Sequence, residues 1–178
     1  MQNINHYKDK HLGQTCAVLG GGVMLPSDLR AIPQVDVLIG VNQHTLILPL
    51  DYVAFFDRHM WDYVGGYRDI LKLTTLNKWS DRQDVIHCEG CPPVGYSGGL
   101  AIWAADQMGF ETIYLCGMDH YQDQGGREYW WQGPQSLPFE ARHHLGRDDL
   151  GRWKEFLGGM QNPKRIYFVS GRLKEAHQ

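Results

Sequence analysis

The stretch SGGLAIWAADQMGFETIYLC, residues 97–116, decides the fold. Between Gly98 and Met108 its strongly polar residues are Asp106 and Gln107. The predicted helix is therefore apolar on most sides and has to be buried. Ser97 is placed to cap it through its hydroxyl, and Gly109 suits the left-handed residue that closes it. The run that follows, residues 111–118, reads as a strand with apolar residues on both faces. A buried helix feeding a two-sided apolar strand is the unit from which covered parallel sheets are built.

The same alternation extends outward. Residues 15–20 (TCAVLG), 35–42 (VDVLIGVN), 52–57 (YVAFFD), 84–88 (DVIHC) and 165–170 (RIYFVS) read as strands. Residues 25–33, 59–73 and 147–160 read as helices, the second with a weak point at Gly65-Gly66. The expected architecture is α/β, a single Rossmann-like doubly wound, mostly parallel sheet with helices on both faces. The domain spans 15–172. Residues 1–14 are expected to form a flexible arm and 173–178 a tail.

Composition bounds the function. With 178 residues, 43% hydrophobic and 21% charged, the chain suits one domain with a real core. A net charge of -3 argues against nucleic acid as a partner. No apolar run reaches the roughly 20 residues of a membrane span. The polar start MQNINHYKDKHLGQ lacks a signal-peptide core, so a cytoplasmic protein is expected. A homo-oligomer remains open. Cys16 and Cys116 lie in apolar strands and read as buried free thiols. Cys88 and Cys91 form a C-x-x-C with no second half, which reads as a loop rather than a metal site; no metal ligands are assigned.

In a doubly wound sheet, ligands bind beyond the carboxyl ends of the strands. Those ends here are Gly20-Gly21-Gly22, Asn42, Asp57 and Gly117 to Tyr121, and the helix beginning at Ser97 joins them. Glycines there would let a phosphate approach free N–H groups at a helix N-terminus. Asp119 could serve the site or simply anchor its loop.

Taken together, VLGGGVMLPSDL, the VNQ at a strand end, SGGLAIWAADQMGFETIYLCGMDHYQ and RHHLGRDDLGRWKEFL resemble motifs of the bacterial sialyltransferases of glycosyltransferase family 42. They also resemble the wider Rossmann-like group that includes the pterin pyrophosphokinases and motility-accessory-factor proteins. The resemblance implies a nucleotide-activated sugar donor, most simply CMP-sialic-acid-like, and a hydroxyl acceptor, with the sugar transferred by in-line displacement. It implies that Gly20, Gly21, Gly22, Asn42, Gln43 and Asp57 line the donor pocket, with Ser97, Gly98 and Asp119 facing it. Tyr121 and Tyr129 would stabilise the departing phosphate, and His143 would be the general base, with His144 its neighbour. Trp130, Trp131, Arg127, Arg142 and Arg147 lie in the same region without an assigned role. The family has Asn where this chain has Asp57. No cofactor is required in that chemistry. The alternative, a pyrophosphokinase, would use Mg²⁺ with Asp57 and Asp119 as ligands. A further alternative is a nucleotide-binding protein without turnover.

Overall fold

The computed structural model describes residues 2–79, 81–92, 96–118, 149–171 and 173–174. Eight parallel strands form one sheet: β1 (Gln2–Asn3), β2 (Thr15–Leu19), β3 (Val37–Val41), β4 (Tyr52–Ala54), β5 (Leu71–Thr74), β6 (Val85–His87), β7 (Thr112–Cys116) and β8 (Ile166–Phe168). Their order is β1-β6-β5-β4-β3-β2-β7-β8. The α-helices among the described residues are α1 (Leu25–Ala31), α2 (Trp61–Val64), α3 (Ser97–Gln107) and α4 (Asp149–Gly158). From β2 the chain builds outward through β3 to β6 on one side, then returns to place β7 and β8 on the other. The strand order therefore reverses between β2 and β7, where open α/β sheets form their ligand crevice.

Both faces are covered, as the two-sided apolar strands require. One core layer joins Val18, Ile39, Ala54, Leu73 and Ile113 with Leu100, Ala101 and Ala104 of α3 and Trp153 and Phe156 of α4. The other joins Leu19, Val53, Phe55 and Cys116 with Leu25, Met60, Val64 and Trp79. α3 crosses the sheet, touching β2, β3, β4, β5 and β7, and every residue from Ser97 to Asp106 is buried. Buried Asp106 is satisfied by the backbone N–H groups of Gln161 at 2.7 Å and Asn162 at 3.3 Å. Gly109 closes the helix at φ +81, as expected.

Two elements differ from the sequence reading. Residues 59–73 are not one helix. A 3-10 turn over Arg58–Met60 runs into α2, which stops at Val64, and residues 71–74 are strand β5 between β4 and β6. Lys72 disguised this strand, because a lysine inside an apolar run suggests a helix with a polar face. The lysine is fully buried: Nζ lies 3.0 Å from Asp84 Oδ2 and donates to the carbonyl of Tyr67. Arg82 beside Asp84, joined by Lys72, holds the Asp84 carboxyl down to about 2. The ion pair and the carbonyl together satisfy the buried ammonium.

The residues expected as an N-terminal arm also join the fold. β1 pairs with β6, matching Gln2 to Ile86 and Asn3 to His87, and Ile4 is buried. His11 N–H donates to the carbonyl of Met108 at 2.9 Å, and its ring stacks on Phe110 at 4.5 Å. Burial raises the Tyr52 phenol to about 12. Its hydroxyl lies 2.9 Å from His11 Nε2, and Nδ1 of the same ring lies 2.6 Å from Gln14 Oε1. Leu173, at the head of the expected tail, is buried against the α3 face. Among the described residues no helix is long and apolar enough to cross a membrane.

Candidate functional site

Parallel register fixes the layout of the carboxyl edge. Leu19 is paired with both Gly40 and Cys116, so Gly20 and Gly117 leave the sheet side by side, with Val41 in the same row. Val41 pairs with Ala54, so Asn42 and Phe55 each follow the last paired residue of neighbouring strands. Gly20 to Gly22, Asn42, Gln43, Asp57 and the start of α3 thus share one edge.

Asn42 is the anomalous residue of this edge. Its φ is +55, a left-handed conformation rare outside glycine. Its Oδ1 and the Oε1 of Gln43 are buried and have no hydrogen-bond partner among the described residues. Leaving one such acceptor unpaired costs about 1–3 kcal/mol. Two adjacent orphans on a strained backbone mark a place where structure has been given up for something else.

The glycine loop behaves differently from the expected open phosphate cradle. Gly20 N–H donates to the carbonyl of Cys116 at 2.8 Å, and Gly22 N–H to that of Gly117 at 2.8 Å. These two amides are already engaged, so the loop is a tied wall rather than a nest of free donors. Its small residues have a packing reason: a Cβ on Gly20 would lie 2.4 Å from the carbonyl oxygen of Gly117. Gly117, at φ +62, would bring its own Cβ within 2.8 Å of Leu25 Cβ.

The start of α3 is also tied. Tyr96, not Ser97, is the residue preceding the helix. The Ser97 hydroxyl instead accepts the backbone N–H of Phe56 at 3.0 Å, joining α3 to the segment leaving β4. A Cβ on Gly98 would lie 2.6 Å from Met118 Cε, and one on Gly20 would lie 2.7 Å from Met118 Sδ. Met118 therefore fills the gap between the glycine loop and the helix, a role the sequence reading missed. Tyr96 stacks on Trp153 of α4 at 6.0 Å and walls this end. Asp57 is exposed, just past β4.

The sequence reading also passed over Asp28. It is buried on α1, and its Oδ2 accepts both the Gly117 N–H and the Ser170 hydroxyl at 2.8 Å. Burial raises its carboxyl above the ordinary value, and those two hydrogen bonds oppose the shift. Leu25 and Asp28 are the buried residues of α1, three apart. That helical spacing was the available signal. Cys88 and Cys91 bracket a turn through Gly90 at φ +84. Burial pushes the Cys91 thiol up to about 12 and the Cys88 thiol up as well, which disfavours thiolates. Among the described residues no group of three His, Cys, Asp or Glu side chains could hold a metal. Asp119, Tyr121, Tyr129, His143 and His144 lie outside the described residues, as do Arg127, Trp130, Trp131, Arg142 and Arg147.

No family model matches the chain, and no curated protein does. Solved structures do. The sialyltransferase CstII from Campylobacter jejuni, in complex with the substrate analogue CMP-3FNeuAc, matches with TM-score 0.56 at 15% identity, over 88% of this chain and 81% of that chain. A CstII complex with cytidine-5'-monophosphate matches with TM-score 0.58 at 16% identity, over 89% and 80%. The monofunctional alpha-2,3-sialyltransferase Cst-I from the same organism matches with TM-score 0.56 at 15% identity, over 88% and 75%. The chain has a sialyltransferase-like fold.

Proposed function

We propose that this protein binds a CMP-linked sugar donor at the carboxyl edge of its sheet and transfers the sugar to a hydroxyl acceptor. The observation that carries the reading is the pair of orphaned amides, Asn42 and Gln43, at the end of β3. A cytidine nucleotide presents ribose hydroxyls and an exocyclic amine, donors that suit such acceptors. The fold is that of structures holding CMP or a CMP-sugar analogue. The tied glycine loop supplies a close wall for the nucleotide.

In this reading the bond from the anomeric carbon to phosphate breaks, and its electron pair goes to the phosphate oxygen. Tyr121 and Tyr129 hydroxyls stabilise that growing charge more than they stabilise the bound donor. The acceptor oxygen bonds to the anomeric carbon, and His143 takes its proton. This chemistry needs no metal.

A thermal-shift panel of CMP, CDP, UDP, GDP and ATP, each with and without Mg²⁺, tests the proposal, because a ligand of the folded state raises the melting temperature. CMP should give the largest shift, independent of Mg²⁺. A shift seen only with ATP and Mg²⁺ would refute it. One observation favours that second reading, a Mg²⁺-dependent pyrophosphokinase: Asp57 puts an exposed carboxylate at the crevice. Asp57→Asn separates the two. It should strengthen metal-free CMP binding by a few-fold, roughly 1 kcal/mol, by removing a like charge near the phosphate. Loss of a Mg²⁺-dependent shift in this variant would support the pyrophosphokinase instead.

A further inference from the structure

Asp28 is a buried carboxylate to which the proposed transfer gives no part. It sits on α1, the helix that the glycine loop enters, yet its contacts lie on other elements. Oδ2 takes the N–H of Gly117, where β7 leaves the sheet, and the hydroxyl of Ser170, beyond β8, each at 2.8 Å. Gly117 in turn accepts the N–H of Gly22 at 2.8 Å. The connections close on themselves: the loop leads into α1, α1 holds Gly117, and Gly117 holds the loop. Gly117 is the residue that most needs holding, since its φ of +62 turns the chain as it leaves β7. The side chain after it, Met118, fills the space against Gly20 and Gly98.

We propose that Asp28 is a positioning residue that sets the Gly117 turn and, through it, the glycine loop and Met118 at the strand-order reversal. It touches no substrate. The role rests on the proposed nucleotide site for its consequence, while the geometry of the clamp stands apart from it. What Asp28 supplies is an acceptor at a fixed distance, and the variants follow from that. Asp28→Asn keeps an oxygen where Oδ2 now lies. Asp28→Ala removes it. Asp28→Glu keeps the charge and moves the oxygen outward by one methylene.

The experiment joins amide hydrogen exchange on the free protein with CMP titration by calorimetry, for wild type and the three variants. Exchange at Gly117 and Gly22 should be tenfold or more faster in Asp28→Ala and Asp28→Glu, and within threefold of wild type in Asp28→Asn. CMP affinity should fall at least tenfold in the first two and stay within threefold in Asn. If Asp28→Ala does not fold, the contrast of Glu with Asn carries the test. Unchanged exchange at Gly117 in Asp28→Glu overturns the clamp. Faster exchange with undiminished CMP affinity overturns its role in positioning the site. A wild type that binds no CMP overturns the functional proposal alone, and the exchange data still decide whether Asp28 holds the loop.

Discussion

Asn42 shows how a single residue can be poor for stability and useful for binding. It pays for its place twice, with a left-handed backbone and with an unpaired amide oxygen. Glycine removes both costs, since it adopts φ > 0 freely. Asn42→Gly should therefore raise the unfolding free energy by up to about 1 kcal/mol. It should also weaken CMP binding at least tenfold, about 1.4 kcal/mol. Chemical denaturation and calorimetry on one preparation measure both. A variant that loses stability and keeps affinity would make Asn42 a structural residue. Gly20, Gly98 and Gly117 tell the reverse story. Each looked in sequence like room for a ligand, and each also has protein packed where a side chain would start: Gly117 O against Gly20, Met118 against Gly98, Leu25 against Gly117. Sequence marks where a side chain is missing, but only packing shows what fills the space.

At the scale of elements, legibility followed the chemistry of each segment. α3 and β7 were readable because burial on all sides leaves an apolar run with few exceptions, and the closing Gly109 signals itself. β5 was not, because its identity depends on a partner twelve residues away. Lys72 belongs in a strand only once Asp84 neutralises it. That pair makes a prediction. Asp84 has its folded pKa depressed, by Arg82 first and Lys72 after it. Its contribution to stability is present above the ordinary carboxyl value near 4 and is lost as pH falls toward about 2. Asp84→Asn leaves the buried lysine without its counter-ion. It should cost about 2 kcal/mol at pH 7, below the usual figure for a fully buried pair because Asp84 is partly exposed. Urea denaturation at pH 7 and pH 2.5 should show the difference between variant and wild type shrinking at the lower pH. A gap that stays constant would mean the carboxylate charge is not what stabilises β5. The first residues were harder to read for a related reason: β1 is two residues long, too short for any periodic pattern, and is held by its pairing with β6, while His11 ties the end of the same segment to Tyr52 and Met108.

For the whole molecule, the order β1-β6-β5-β4-β3-β2-β7-β8 places the reversal at the seam where the glycine loop and Gly117 bind each other. The seam itself is closed by backbone hydrogen bonds and by Met118. Two of the four buried unpartnered polar atoms among the described residues lie one strand over, at Asn42 and Gln43; the others are on Thr45 and His87. That division gives the account its shape: a rigid, self-tied wall beside a strained pair of amides awaiting a partner. A crystal structure of the protein with CMP tests it most directly. The account predicts that the nucleotide lies along the carboxyl edge, with its ribose or base hydrogen-bonded to the Asn42 and Gln43 side chains and its body against Gly20 to Gly22. A nucleotide seated elsewhere, with both amides still unpaired, would contradict it.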